Sequence, residues 1–443
     1  MEATRAHHNI NFPAEDIRML EKLQSQTFNY FLTYQNPSNG LIADRSDPLS
    51  HSSIAVVGLG ITSYIIGIER NLLSRKDAVN KILTVLRFFY KGHQGPEPDA
   101  MGYKGFYYHF LDMQEGKRAW ESELSTIDTS IFIAGVLIAA TYLNDDNKEE
   151  NEIRQLADIL YRRIDWQWSL NGRTEICHGW KTESGFLNHY WDKGYSEAII
   201  LYVLALGSPT HSIDPLGYKN WTTTFIWSNI DGIELIHAGP LFIHQMSHLW
   251  LDFRGIRDDL IAKYNIDYFE NSRRATCVQQ QYAIKNPLKF EHYNKNNWGF
   301  TASDGPGPAT IIIDGVEKIF YDYIARGVPF GPDDGTISPW AVVASLPFAP
   351  DIVVGTIRHA IERLKERKSS DEGFDASFNA IFQMDVNEKK GWVSPWKFGL
   401  NEGPMIIMIE NFQTQLIWNI SKRCSYIKNG LRLAGFTGGW LEK

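Results

Sequence analysis

Apolar residues recur along this chain in two rhythms, and their alternation predicts its architecture. From Pro13 to about Tyr34, Asp16, Ile17, Met19, Leu20, Leu23 and Phe28 fall near a 3.6-residue period, the mark of a helix with one buried face. The same rhythm returns from Arg75 (Val79, Ile82, Leu83, Leu86, Phe89), from Glu149 (Ile153, Leu156, Ile159, Leu160) and from Asp351 (Ile352, Ile357, Ile361, Leu364). Between these lie segments apolar nearly all round, as helices buried on several sides are. Six are found: "SIAVVGLGITSYIIGIE" from Ser53, "TIDTSIFIAGVLIAATY" from Thr126, "SEAIILYVLALG" from Ser196, "GPLFIHQMSHLWLDF" from Gly239, "SPWAVVASLPF" from Ser338 and "GPMIIMIENFQTQLIW" from Gly403.

Buried helices alternating with amphipathic ones predict an all-α fold, an (α/α)6 barrel of six inner helices ringed by six outer ones. One domain is expected over residues 13–425. The outer partner of the fourth inner helix is sought after Gly255. The stretch 286–336, rich in Gly, Pro, Asn and Tyr with a β-like run "TIIID" at Thr310, breaks the plan. It reads as a long loop carrying a small sheet, and such insertions are often functional.

Composition narrows the function. The 443 residues are 43% hydrophobic, ample for a large core, and carry a net charge of −8 with no basic run of the kind that tracks phosphates, so no nucleic acid partner is expected. The apolar stretch from Ile54 to Ile68 is short and broken by Gly58, Gly60 and Gly67, so no membrane span is expected. The N-terminus "MEATRAHHNINFPAED" is polar, unlike a signal peptide; export would require that a leader has been removed, and a cytoplasmic location stays open. Cys177, Cys277 and Cys424 match no zinc spacing and read as packed thiols. His244 and His248, four apart, share a helix face and read as hydrogen-bonded polar residues. Neither a metal nor a cofactor is expected.

Aromatics are heavy, with 14 Trp, 20 Tyr and 24 Phe. Aromatic faces beside acids suit sugars, whose rings offer C–H faces and whose hydroxyls need polar partners. The acids gather ahead of the buried helices: Asp44, Arg45 and Asp47 in "ADRSDP"; Trp120, Glu121, Glu123 and Asp128 in "WESELSTID"; His189, Trp191, Asp192 and Glu197 in "NHYWDKGYSE"; Asp333, Asp334 and Trp340 in "PDDGTISPW"; Trp392, Trp396 and Glu402 in "WVSPWKFGLNEGP". In the expected barrel the inner helices run the same way, so these starts meet at one end. A glycosidase needs such a layout: one carboxylic acid to protonate the leaving oxygen and another to activate water or attack. Capping explains any single acid equally well, because helix starts favour carboxylates, and Ser125 with Asp128 resembles a capping box. Trp298 and Asp304 in "NNWGFTASDGPG" read either as a sugar-binding loop or as a plain turn.

Longer motifs sharpen the reading. "STIDTSIFIAGVLIAATY", "YSEAIILYVLALGSPTH", "AGPLFIHQMSHLWLDFRGIRD", "NNWGFTASDGP", "DDGTISPWAVVASLPFAP" and "GPMIIMIENFQTQLIW" together resemble the bacterial glucoamylase-like domain family, which includes the β-1,2-glucanases of glycoside hydrolase family 144. The likeness runs from about Leu20 to Trp418. It implies an (α/α)6 barrel that cleaves β-1,2-linked glucans with inversion, in some members from a chain end with release of sophorose, and export by Gram-negative bacteria to the periplasm or beyond. Glu197 matches the acid of the "Y-x-E-A" motif, Glu123 and Asp128 that of "E-x-S-T-I-D-T", Asp304 that of "T-A-S-D-G-P", and Asp333 and Asp334 that of "D-D-G-T". Two positions depart from the pattern: Ser196 stands where Asn or Asp is usual, and Glu402 where Gln is usual.

The expectation is therefore an inverting hydrolase of β-1,2-glucans or their oligosaccharides, acting as a monomer on a saccharide partner. Glu197 is the expected general acid, its pKa raised by burial near Tyr195 and Trp191, and Asp128, Glu123 and Asp304 compete as base. Trp120, Trp191, His189, Trp298, Asp333, Asp334, Trp396, Glu402 and Arg45 are the expected substrate contacts. Two rivals stand: an enzyme of another linkage or a phosphorylase, since fold alone does not fix chemistry, and a non-catalytic glycan-binding protein on the same scaffold.

Overall fold

The computed structural model describes residues 12–313, 315–366, 373–382 and 391–442. Both rhythms become helices. In chain order they are α1 (Ala14–Thr33), α2 (Ile54–Glu69), α3 (Arg75–Lys91), α4 (Thr126–Tyr142), α5 (Lys148–Arg162), α6 (Ile199–Gly207), α7 (Pro215–Thr222), α8 (Tyr268–Lys285), α9 (Pro339–Ala344), α10 (Pro350–Glu366), α11 (Gly399–Gln413), α12 (Leu416–Ser421) and α13 (Ser425–Leu433). Four of them, α3, α5, α7 and α8, are started by side-chain caps. Ser74 accepts from the Asp77 amide, Asn147 from Glu150, Asp214 from Leu216 and Asp267 from Glu270, each satisfying a backbone donor that a helix start leaves orphaned. Helices α2, α4 and α6 are buried on nearly every side.

Contacts among the buried elements run in a circuit. Helix α2 packs on α4, α4 on α6, α9 on α11, and α11 back on α2. Between α6 and α9 the circuit passes through residues 241–249: the Ile200 amide donates to Ser247 Oγ (3.1 Å), and Gln245 Nε2 to Ala341 O (2.6 Å). One hydrophobic cluster extends from Leu20 to Leu441, so packing continues past residue 425: α13 lies on α6, and Thr437 pairs with Arg257.

The fourth buried segment corrects the expectation of an inner α-helix. It forms two 3-10 turns, Leu241–His244 and Met246–Leu249. Side chains of neighbouring elements take the carbonyls that a helical ladder would use: Ser272 Oγ donates to His244 O (2.7 Å), Trp418 Nε1 to His248 O (2.6 Å) and Asn411 Nδ2 to Leu249 O (3.0 Å). It packs on α8, in the region after Gly255, which supplies Ser272. The sixth buried helix begins at Gly399 instead of Gly403, which moves Glu402 into its first turn.

Strands are more widespread than a single excursion implies. Within 286–336 the hairpin Ala309–Ile313 with Val316–Phe320 forms as expected. Two-residue strands also precede buried helices: Ser52–Ser53 pairs with Phe110–Leu111 ahead of α2, Leu124–Ser125 with the strand Gly179–Lys181 ahead of α4, and Thr336–Ile337 with Phe378–Asn379 ahead of α9. These pairings gather distant loops at the helix starts. No helix among the described residues is long and apolar enough to cross a membrane.

Helices α2 and α4 approach backbone to backbone. A methyl at Gly135 would run into the Gly58 carbonyl, and one at Gly58 into the backbone of Ile131 and Phe132. Backbone cannot yield as a side-chain tip can, so Gly135→Ala is expected to cost about 1–3 kcal/mol by overpacking. Gly355, within α10, has open space and only Asn296 at 3.8 Å, so Gly355→Ala should instead stabilise by about 0.5–1 kcal/mol. Urea unfolding of the two variants checks the opposite signs.

Candidate active site

The helix starts deliver their polar residues to a common region. The Gly399 amide donates to Asp44 O (2.8 Å), and Arg45 bridges to Phe398, so the loops ahead of α2 and α11 are joined. The Ser53–Phe110 pairing carries His109 along, and its amide donates to Glu123 O (2.8 Å). Asp128 sits in the first turn of α4, where Ser125 caps its amide and donates its hydroxyl to the carboxylate. Glu197 lies in the turn before α6, its carbonyl held by Ser247 Oγ at 2.7 Å. Asp304 enters from the excursion, fixed by Ser377 Oγ on its carbonyl (2.7 Å) and by Ser394 Oγ on its carboxylate (2.8 Å).

His109 is the cation among these acids. Nδ1 is 3.0 Å from Glu123 and Nε2 3.7 Å from Asp128, and the ring stacks on Phe110 at 4.1 Å. Burial opposes its charge, yet Asp128, Glu123 and Asp44 outweigh that and push its pKa up to about 9. It is therefore an imidazolium at neutral pH. Glu123 answers it: burial would raise its carboxyl, but the hydrogen bond and charge of His109 hold it below the usual value.

The remaining acids shift upward. Burial, then the charge of Asp128, pushes Glu197 up to about 7 against the pull of its own backbone amide. Burial carries Asp44 up to about 6 despite His109 and Arg45. Asp304 is raised by burial, with the Ser394 hydrogen bond opposing. Tyr323 keeps 56% of its surface exposed, but desolvation of its hydroxyl and the charges of Asp44, Asp304 and Asp128 push it up to about 12. Tyr323 thus feels the charges of three carboxylates on three different elements.

Several expected sugar contacts are corrected. Trp298 is 1% exposed, and its indole donates to Thr356 Oγ1 at 3.0 Å; it is core against α10, not a sugar platform. Asp334 and Arg326 form a fully buried, bidentate pair at 2.8 Å, and Asp333 accepts from the Tyr282 (2.9 Å) and Tyr293 (2.5 Å) hydroxyls. Buried Asp334 is spent holding the excursion in place, since a buried charge demands partners, and half-buried Asp333 ties the same loop to α8 through Tyr282. Trp191 is also buried, stacked on His178 at 3.9 Å with its indole on Thr126 (3.2 Å), so it braces the start of α4.

Other candidates stay accessible. Trp120 is 68% exposed with φ 53°, edge-on to His51 (4.4 Å) and Phe110 (5.2 Å), and so flanks His109 through Phe110. His189 is exposed, with its ring 6.1 Å from His178. Arg45 lies 5.8 Å over the Trp396 ring. Glu402, in contrast, is buried at 3% exposure, and burial pushes it up to about 8 against the charge of Lys397.

His244 and His248 are buried, hydrogen-bonded to Ala238 and Ser272, and kept neutral by desolvation. The three cysteines are free thiols. No group of three or more metal-ligating side chains occurs among the described residues.

His109 and Tyr323 carry no sequence signal, because long-range pairing alone brings them to the cluster. Asp44 does have one, its place in the acid-rich stretch before the first buried helix.

These features define a mostly helical protein whose helix starts share a carboxylate-rich site with aromatic flanks. Residues 188–425, more than half of the chain, match the family model Glycoamylase, described as glucoamylase, and the chain belongs to this glucoamylase-like family. It is 26% identical over 458 residues to the exo β-1,2-glucooligosaccharide sophorohydrolase (non-reducing end) of Parabacteroides distasonis, with 95% of this chain and 58% of the relative covered. The chain thus spans little more than half the length of that curated relative. A glucoamylase-like crystal structure from Bacteroides uniformis superposes with TM-score 0.84 at 29% identity, over 97% of this chain and 99% of the other. An endo-β-1,2-glucanase from Chitinophaga pinensis, in complex with sophorotriose and glucose, gives TM-score 0.82 at 24% identity over 96% and 99%, a likeness of fold.

Glu402 makes stability depend on pH with a definite sign. Its carboxyl rises from an ordinary 4.5 to about 8 on folding, so the folded chain keeps a proton that the unfolded chain releases. That contribution is complete below pH 4.5 and is lost as pH climbs to about 8. Glu402→Gln should flatten the fall of stability across this window, which urea midpoints at pH 5 and pH 8 will measure.

Proposed function

We propose that the chain is an inverting hydrolase of β-1,2-glucans and β-1,2-glucooligosaccharides, built on a closed (α/α)6 toroid. The observation that carries the reading is that Glu197, half-buried with its carboxyl pushed up to about 7, is coupled in charge to Asp128, whose carboxylate lies 3.7 Å from the His109 imidazolium. Carboxyl groups held in opposite protonation states are the requirement of acid–base glycoside cleavage. In this reading Glu197 protonates the leaving glycosidic oxygen. Asp128, oriented by Ser125 and His109 and coupled in charge to Glu197, activates the water. Glu123 then serves to hold His109, not as base. The exposed Trp120 offers a face to a sugar ring.

The activity of the Parabacteroides distasonis relative, an exo β-1,2-glucooligosaccharide sophorohydrolase, supports the linkage, and with it release of sophorose from the non-reducing end. We take the protein to work as a monomer on glucan met outside the cytoplasm, as the motif resemblance implies.

Glu197→Gln should lower kcat on linear β-1,2-glucan by about 10²–10⁴-fold, the usual worth of a general acid, without unfolding the protein. Retention of near-full activity would remove Glu197 from the role. Chromatography of early time points should show sophorose alone, whereas a ladder of oligomers would mean cleavage within chains. Stereochemistry is read separately: proton NMR during the first turnovers should show the α-anomer of the new reducing end before mutarotation, and a β-anomer first would replace inversion with retention.

A further inference from the structure

A cavity lies beside the proposed catalytic cluster and takes no part in the chemistry above. It occupies about 300 Å³ between α1 and the segment leading into α11, with Asn29, Tyr34, Asp375, Ser394, Trp396 and Glu402 in its wall. It adjoins the main site through two contacts. Ser394 lines the cavity while its hydroxyl donates to Asp304 at 2.8 Å, and Trp396 lines it while Arg45 lies 5.8 Å over its ring.

The wall has the chemistry of a sugar site. Trp396 and Tyr34 supply aromatic surface, and Asn29, Asp375 and Glu402 supply amide and carboxyl groups. Glu402 is buried apart from its place in this wall. A buried carboxyl is costly unless its hydrogen-bonding capacity is used, and a hydroxyl-rich ligand would use it. The volume is at the lower end for ligand pockets and suits one pyranose ring, not a length of chain.

We propose that this cavity is an accessory subsite that binds one glucosyl unit of the β-1,2-glucan away from the bond being cleaved, with Trp396 as platform and Glu402 as hydrogen-bonding wall. The inference rests on the glucan reading of the main site. The subsite anchors the chain and contributes to KM, while Glu197 and Asp128 set kcat.

The test is steady-state kinetics on β-1,2-glucooligosaccharides of graded length, with wild type, Trp396→Ala and Asn29→Trp. Asn29 is exposed on α1, so a tryptophan there obstructs the cavity without disturbing the core, even if Trp396→Ala fails to fold. Expected is a rise in KM of about tenfold for the longer substrates, the worth of one aromatic stacking contact, with kcat within about twofold. Trp396→Phe should recover most of the loss. A KM unchanged at every length in Asn29→Trp, in a preparation whose wild type cleaves the glucan, overturns the subsite and leaves the main reading intact. A wild type that cleaves no β-1,2-glucan overturns both.

Discussion

Carboxylates brought together out of water repel one another, and the way this chain contains that repulsion governs the arrangement of its site. Asp44, Glu123 and Asp128 all act on His109. A single imidazolium, stacked on Phe110 and touching two of the three acids, makes their proximity tolerable. Removing it would leave like charges facing each other in a poorly solvated place, which raises carboxyl pKa values and costs stability. Glu197, which His109 does not touch, meets the constraint instead by a raised carboxyl pKa, set by burial and the charge of Asp128.

That solution depends on backbone geometry far from the acids. His109 reaches Glu123 because Ser52–Ser53 pairs with Phe110–Leu111, and because its own amide bonds to Glu123. The pairing in turn requires α2 and α4 to lie side by side, which the contact at Gly58 and Gly135 permits. Two glycines in the core and a two-residue ladder at the rim thus set the distance between a cation and its acids.

Much of this was legible in the sequence. Period and apolar content identified α2, α4 and α6 with their amphipathic partners, and the acid-rich stretches before them pointed to one end of the molecule. The fourth inner segment was not legible as turns, because its carbonyls are claimed by Ser272, Trp418 and Asn411, residues distant in sequence. Asp333, Asp334 and Trp298 misled for a related reason. An acid or a tryptophan before a buried helix looks the same whether it faces a cleft or braces a loop, and the buried partners Arg326, Tyr293 and Thr356 decide which. His109 left no trace, because a lone histidine in an aromatic stretch acquires its role only from pairing.

The same constraint explains why neighbouring carboxyl groups can hold different jobs. Glu123 has a cation at hydrogen-bond distance and is ionised; Glu197 has burial and the negative charge of Asp128, and is not. Two glutamates with the same ordinary pKa are driven in opposite directions, one by a neighbouring imidazolium and the other by burial and a neighbouring carboxylate. Acid–base cleavage near neutral pH needs both forms present together, and a uniform environment could not supply them. The cost of assembling the acids is therefore also what differentiates them.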